Sequence, residues 1–182
     1  IGMGGDQLLV VHDGSRDLLV ARHAGRGALI SRRADDLSCS RSRQLAAGLG
    51  VQRYDWILLL DPLAAEEPGC WQALTPTLLA QQDGSPPLQL GQRLASPGLS
   101  VAPLTSDSQA LGLQAGRRRW TLLPDRQAWW SWRRAGSGRS PDGHDIWLGF
   151  APTAAERRQL PRRPGNGLWW ATAGSDSGWH LA

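Results

Sequence analysis

The longest uninterrupted apolar run in the chain is Trp56-Ile57-Leu58-Leu59-Leu60. A half-exposed strand would alternate apolar and polar residues, so Asp55 to Leu60 reads as a strand buried on both faces. The flanking sequence supplies further strands and helices to cover it. Asp6 to Val11 and Asp17 to Ala21 are short apolar runs separated by Asp13-Gly14-Ser15-Arg16, a hairpin signature. A third short strand runs through Ala28 to Ser31. Ser38 then caps a helix that carries Leu45 and Leu49 and stops at Gly48 to Gly50. Beyond the buried strand, Pro68 to Gln81 suits a helix bearing Trp71, Leu74, Leu78 and Leu79, with Pro76 at a break or kink.

The second half repeats the order of strands before helices. After the loop Asp83-Gly84-Ser85-Pro86-Pro87 come strands at Leu99 to Leu104, Gln109 to Gln114 and Arg118 to Leu123, with Ala115-Gly116 as the last turn. Asp125 to Arg134 is helical, Gly136 to Gly143 a loop, Asp145 to Gly149 a strand, and Thr153 to Leu160 a short helix. Arg162 to Gly167 is a polar turn before a final buried strand, Leu168 to Thr172. Clusters of antiparallel strands followed by helices predict an α+β, layered α/β domain. There is no repeat period and no long linker, so residues 1–182 read as one domain.

Apolar residues make up 41% of the 182, enough for a folded core. No stretch approaches the roughly 18 apolar residues that span a bilayer. Ile1 opens the chain without a basic-then-apolar leader, so the sequence reads as a fragment of a larger protein, soluble as an isolated piece. All 20 basic residues are arginine and the formal charge is +4, a mild excess that resembles nucleotide-composition bias more than selection for a ligand. Cys39 and Cys70 are too few for a disulfide framework or a zinc site; two buried or half-buried thiols and a single bridge are both compatible with them.

Several blocks occur in the order of one family. Ile1-Gly2-Met3-Gly4-Gly5-Asp6-Gln7-Leu8-Leu9-Val10 is similar to "VGQGDAxLI", and Leu18-Leu19-Val20-Ala21-Arg22 occupies the place of "LIDAG". Leu49-Gly50-Val51-Gln52-Arg53-Tyr54-Asp55-Trp56-Ile57-Leu58-Leu59-Leu60-Asp61 is close to "LGVxRLDxLVLSH". The span from Ser108 to Asp125 is similar to "SLVLRLxYGxxxFLLTGD", and Asp145-Ile146-Trp147-Leu148-Gly149-Phe150-Ala151-Pro152-Thr153 to "DVLKVGHHGS". Together these blocks resemble the metallo-β-lactamase-like domain of ComEC-type DNA-internalisation (competence) proteins. The resemblance implies an αββα four-layer sandwich attached to a polytopic membrane channel, on the outer face of the cytoplasmic membrane, where incoming DNA is handled.

Hydrolytic members of that fold bind one or two metal ions through H-x-[DH]-x-D-H, because neutral imidazoles and carboxylates hold zinc and acidify a bound water. Aligned on the buried strand, those positions here read Asp61, Leu63, Ala65 and Glu66, and the paired histidine falls on Phe150 and Ala151. Asp125 alone matches a family ligand, the bridging aspartate. The expectation is therefore no zinc site and no zinc hydrolase. A rival is a nuclease using Mg²⁺ or Mn²⁺ held by the hard oxygens of Asp61, Glu66 and Asp125. The plainer reading has Asp61 opening a turn before Pro62 and Glu66 capping a helix.

His12, His23, His144 and His180 are isolated and read as surface or hairpin residues, and no nucleophile, phosphate-loop or dinucleotide motif is present. Among ten tryptophans, Trp129, Trp130 and Trp132 interleave with arginines over 126–134. Trp129 and Trp132 share one side of a helix, with Trp130 roughly 100° from Trp129, and two or three of these rings suit covering a sheet while the arginines face water. Trp169-Trp170 should divide between core and surface. Arg117, Arg118 and Arg119 on a hairpin turn, with Arg126, Arg133 and Arg134, are the candidate contacts to single-stranded DNA; the alternative is that all six are solvated. The expected function is a non-catalytic, DNA-handling domain of a ComEC-like uptake channel, with DNA and the channel as partners, no small-molecule substrate and no cofactor, or Mg²⁺ or Mn²⁺ under the nuclease alternative.

Overall fold

The computed structural model describes residues 5–136, 144–160, 169–173 and 178–181. Residues 1–4, the loop at 137–143, the Arg162 to Gly167 turn, Leu168 and the His180 side chain lie outside the described residues. The first half contains β1 (Gln7–His12), β2 (Leu18–His23), β3 (Arg26–Ser31), α1 (Asp36–Gly48), β4 (Ile57–Leu59), α2 (Pro68–Gln72) and β5 (Leu78–Leu79). The second contains β6 (Leu94–Ser96), β7 (Leu99–Pro103), β8 (Leu111–Ala115), β9 (Arg118–Leu123), α3 (Arg126–Arg134), β10 (His144–Leu148), α4 (Ala154–Gln159), β11 (Trp169–Ala171) and β12 (Gly178–Leu181).

These strands form two six-stranded mixed sheets, ordered β12-β1-β2-β3-β4-β5 and β11-β10-β9-β8-β7-β6. In each half, antiparallel strands lead into a βαβαβ run: β3-α1-β4-α2-β5 and β9-α3-β10-α4-β11, with parallel pairing throughout both runs. The predicted α+β class holds, and the repetition is topological, with no counterpart in the sequence.

Alternation along the strands explains the packing. Leu8, Val10, Leu19, Ile30 and Leu58 of the first sheet join Val101, Leu113, Trp120, Leu122 and Trp147 of the second in one apolar cluster between the sheets. The intervening residues Leu9, Leu18, Val20, Leu29, Ile57 and Leu59 point the other way, onto Leu45 of α1 and Trp71 of α2. Across the molecule, Leu123, Ile146 and Leu148 meet Trp129 and Trp132 of α3 and Leu160 after α4. Two of the three α3 indoles cover the sheet, within the two or three expected: Trp129 and Trp132 are 1% exposed, while Trp130, at 53%, faces solvent. Trp169 and Trp170 are both half-buried; their alternation places one on the helix side and the other between the sheets, where core replaces the expected surface.

Several boundaries differ from expectation. Helix α1 is capped by Asp35, whose carboxylate accepts from the Ser38 backbone N–H, so Ser38 is a recipient of the cap and not the cap itself. The helix ends where Gly50 adopts φ +70°. The helix expected over Pro68 to Gln81 stops at Gln72, because Thr75 and Thr77 turn the chain ahead of β5, which pairs in parallel with β4. Strands β6 and β12 were not expected. Cys39 and Cys70 form a disulfide that joins α1 to α2, resolving the pair in favour of the bridge.

At the end of the sheets that holds the β2–β3 and β8–β9 turns, Asp6 ties them together. Its carboxylate accepts from His23 Nδ1 at 2.6 Å and from the Arg117 backbone N–H at 3.2 Å, while its carbonyl accepts from Arg118. The bond from His23 holds the Asp6 carboxyl below its ordinary pKa against the opposing effect of burial, with help from Arg117. Gly116, at φ +59°, packs against this carboxylate so closely that a methyl group would overlap it. Gly116→Ala should therefore destabilise the fold by about 1–3 kcal/mol, read as a lower urea midpoint with an unchanged m-value; an unaltered midpoint would mean that the turn relaxes freely.

Candidate functional site

At the opposite end lies a cavity of about 430 Å³. It opens where β3, β4 and β9 finish, since Arg32 and Arg33, Leu60 and Pro62, and Pro124 and Asp125 line it. The carboxyl ends of parallel strands are where layered α/β proteins place ligands, because the chain diverges there into separate loops. The loop at Gly84, Pro86 and Pro87 forms one wall. Another wall holds Ser108, which sits at φ +61° with its Oγ buried and without a hydrogen-bond partner among the described residues. Next to it, burial would raise the Asp107 carboxyl pKa, but bonds from Ser131 and Thr105 keep it below the ordinary value.

The three candidate metal carboxylates are at this end, each already engaged. Asp61 is buried and accepts from the backbone N–H groups of Ala34 and Leu63, both at 2.9 Å, and from Arg33 Nε at 3.3 Å. The bond from Leu63 is the turn expected at Pro62. Asp125 caps α3, accepting from the Ala128 N–H at 2.9 Å. Glu66 is exposed and accepts from the Asp36 N–H at 3.4 Å, so it serves the start of α1 rather than the helix that follows it. No side chain among the described residues caps helix α2. Among the described residues, no group of three or more His, Cys, Asp or Glu is arranged to hold a metal ion. At the positions aligned with the paired histidine, Phe150 lies under the Arg126 guanidinium at 5.1 Å, and Ala151 offers its carbonyl to Arg126 at 2.7 Å.

Guanidinium groups dominate the polar side of the cavity. Arg32 donates to Asp17 at 3.2 Å and to the Gly149 carbonyl at 3.3 Å, and its backbone N–H donates to the Asp17 carbonyl. Asp17, with no solvent-exposed surface, also accepts from His12 Nδ1 at 2.6 Å. Arg33 reaches both Asp61 and Ser15. His12, Asp17, Arg32 and Arg33 escaped the sequence reading. His12 does lie at a hairpin, but it is buried and hydrogen-bonded. Its spacing of five residues from Asp17 across the β1–β2 turn was the one available signal.

The six arginines proposed as DNA contacts fall into two sets. Arg117, Arg118 and Arg119 lie at the β8–β9 turn, at the end of the sheets away from the cavity, where Arg118 pairs with Asp145 at 3.2 Å and lies over Trp120. Arg126, Arg133 and Arg134 belong to α3, whose first turn borders the cavity through Gln127. Arg126 also pairs with Glu156, holding α3 to α4. Compared with known proteins, the chain matches no protein-family model and no curated protein.

Proposed function

We propose that the chain is a non-catalytic metallo-β-lactamase-like domain, a four-layer αββα sandwich, that assists DNA handling in a ComEC-like uptake channel during natural transformation. The ordered sequence blocks support the family. Two sheets packed face to face with helices on their outer sides are consistent with it, and the cavity lies where the resemblance places the ligands. One observation carries the non-catalytic reading. Asp61 stands at the first aligned ligand position, and it is buried beneath two backbone N–H donors and Arg33. A guanidinium there supplies the positive charge that a metal would bring, without a vacant coordination site or an acidified water.

The Cys39–Cys70 bridge suits an oxidising compartment, as on the outer face of the cytoplasmic membrane. No helix among the described residues is long and apolar enough to cross a membrane, so under this reading the channel lies elsewhere in the parent protein.

Purified protein should carry no stoichiometric metal, and it should leave single-stranded DNA uncut with Zn²⁺, Mg²⁺ or Mn²⁺. It should bind the strand with an affinity that falls steeply as salt rises, because phosphate contacts release counterions. Cleavage that requires Mn²⁺ and vanishes in Asp125→Ala would overturn the non-catalytic reading. Absence of binding even at low salt would overturn the DNA-handling one.

A further inference from the structure

We propose that the solvent-facing side of α3 is a stacking platform for single-stranded DNA, with Trp130 as the ring on which a base lies; this rests on the DNA-handling reading above. Six tryptophans of this protein are among its most fully buried side chains. Trp130 is the only large aromatic among the exposed hydrophobics of the described residues, at 53%. Its indole stays in water because the sheet-facing side of α3 is already filled by Ala128, Trp129 and Trp132.

The neighbours of that ring are cationic. Arg126 and Arg134 lie one helical turn before and after it, on the same face, and Arg133 stands beside them. Two of the three are held in place: Arg126 by the Ala151 carbonyl, Glu156 and the Phe150 ring, and Arg133 by stacking on Trp129 at 5.5 Å. Arg157 and Arg158 of α4 are exposed on the same outer layer. Within their bounds α3 and α4 carry five arginines and one acid, Glu156, a formal +4. The whole chain is also +4, so the remainder sums to zero; adding the cap Asp125 to the helices leaves them at +3. Most of the formal charge excess of this protein is thus carried by α3 and α4.

An exposed indole flanked by guanidiniums is what sequence-tolerant single-strand binding requires, since every base has a π-face and every nucleotide a phosphate. An anionic membrane surface fits less well. An interfacial helix buries a broad apolar face in the lipid, whereas the apolar face of α3 is spent on the protein and leaves one ring. Gln127, one turn before Trp130, lines the cavity, so a strand stacked on the platform passes its mouth.

The test uses the full chain and a fluorescently labelled oligothymidylate of about twenty nucleotides, with anisotropy read over a salt series. Trp130→Ala should weaken binding about tenfold with the salt slope unchanged, while Trp130→Phe stays close to wild type because it keeps a stacking face. Arg134→Ala combined with Arg157→Ala should instead flatten the slope by about 1.4, at roughly 0.7 per phosphate contact on a single strand. Unfolding curves of the variants should overlay wild type, because all three side chains are exposed. Wild-type binding that survives Trp130→Ala would overturn the platform and leave the DNA-handling reading standing. No binding by the wild type would overturn both. Loss of binding to phosphatidylglycerol vesicles in Trp130→Ala, with oligonucleotide binding intact, would reassign the face to the membrane and overturn the platform.

Discussion

Reduction of the Cys39–Cys70 bridge is expected to lower the stability of the fold by about 3–4 kcal/mol, which for a chain of this length is roughly 6–16 °C in Tm. The bridge spans 31 residues of sequence. That segment holds most of α1, all of β4 and the Asp61 turn, so an uncrosslinked unfolded chain regains the entropy of a long loop. Packing adds to the effect. Cys39 is fully buried among Leu45, Tyr54 and Trp71, while Cys70 is half-buried beside the Arg43 guanidinium at 3.3 Å. Scanning calorimetry with and without reductant measures the shift, and Cys39→Ala with Cys70→Ala should reproduce most of it. A reductant shift below about 1 kcal/mol, or free thiols titrating in the native protein, would refute the bridge as a stabiliser.

The elements that were legible in the sequence are those whose local pattern and tertiary role agree. The hairpin at Asp13 to Arg16, the buried strand ending at Leu60, and β9 from Arg118 to Leu123 all follow from periodicity and turn chemistry. The span of helix α3 was legible, because two indoles three apart suit one helical face, but the capping role of Asp125 was not read. Elements defined by a neighbour were not. Leu74, Leu78 and Leu79 have helical spacing, yet the last two form a strand because they pair with the open edge of β4 and satisfy its backbone groups. Strands β6 and β12 are short edge strands specified by partners, not by their own alternation. The repeated βαβαβ topology is invisible because the two halves fill equivalent positions with different residues.

The site was legible only in position. Alignment on the buried strand and on β9 brought Asp61 and Asp125 to the same end of the molecule, and both are there. Their occupations were less visible. Whether a carboxylate awaits a metal or accepts backbone N–H groups depends on Ala34, distant by 27 residues from Asp61, and on the first turn of a helix. Arg32 and Arg33 carried no motif at all. They matter because β3 delivers them to the cavity rim opposite acids from other strands.

Asp17→Ala should be the most damaging single substitution at that rim. Its carboxylate is completely buried and accepts from His12 at 2.6 Å and from Arg32 at 3.2 Å. The substitution strands a buried imidazole and a guanidinium whose side chain is only 23% exposed. Breaking a buried pair by deleting one partner costs about 3–5 kcal/mol, and that corresponds to roughly 6–20 °C in Tm at this chain length. Asp17→Asn keeps the shape and one acceptor oxygen, so its loss should be smaller. The deciding measurement is a double-mutant cycle with Arg32→Met: once the guanidinium is gone, Asp17→Ala should cost markedly less than in the wild-type background. By contrast, Arg33→Ala, whose partner Asp61 retains two backbone donors, should change stability by less than about 1 kcal/mol. If Asp17→Ala unfolds at the wild-type temperature, or if its cost is the same with and without Arg32, the network does not brace the rim of the cavity.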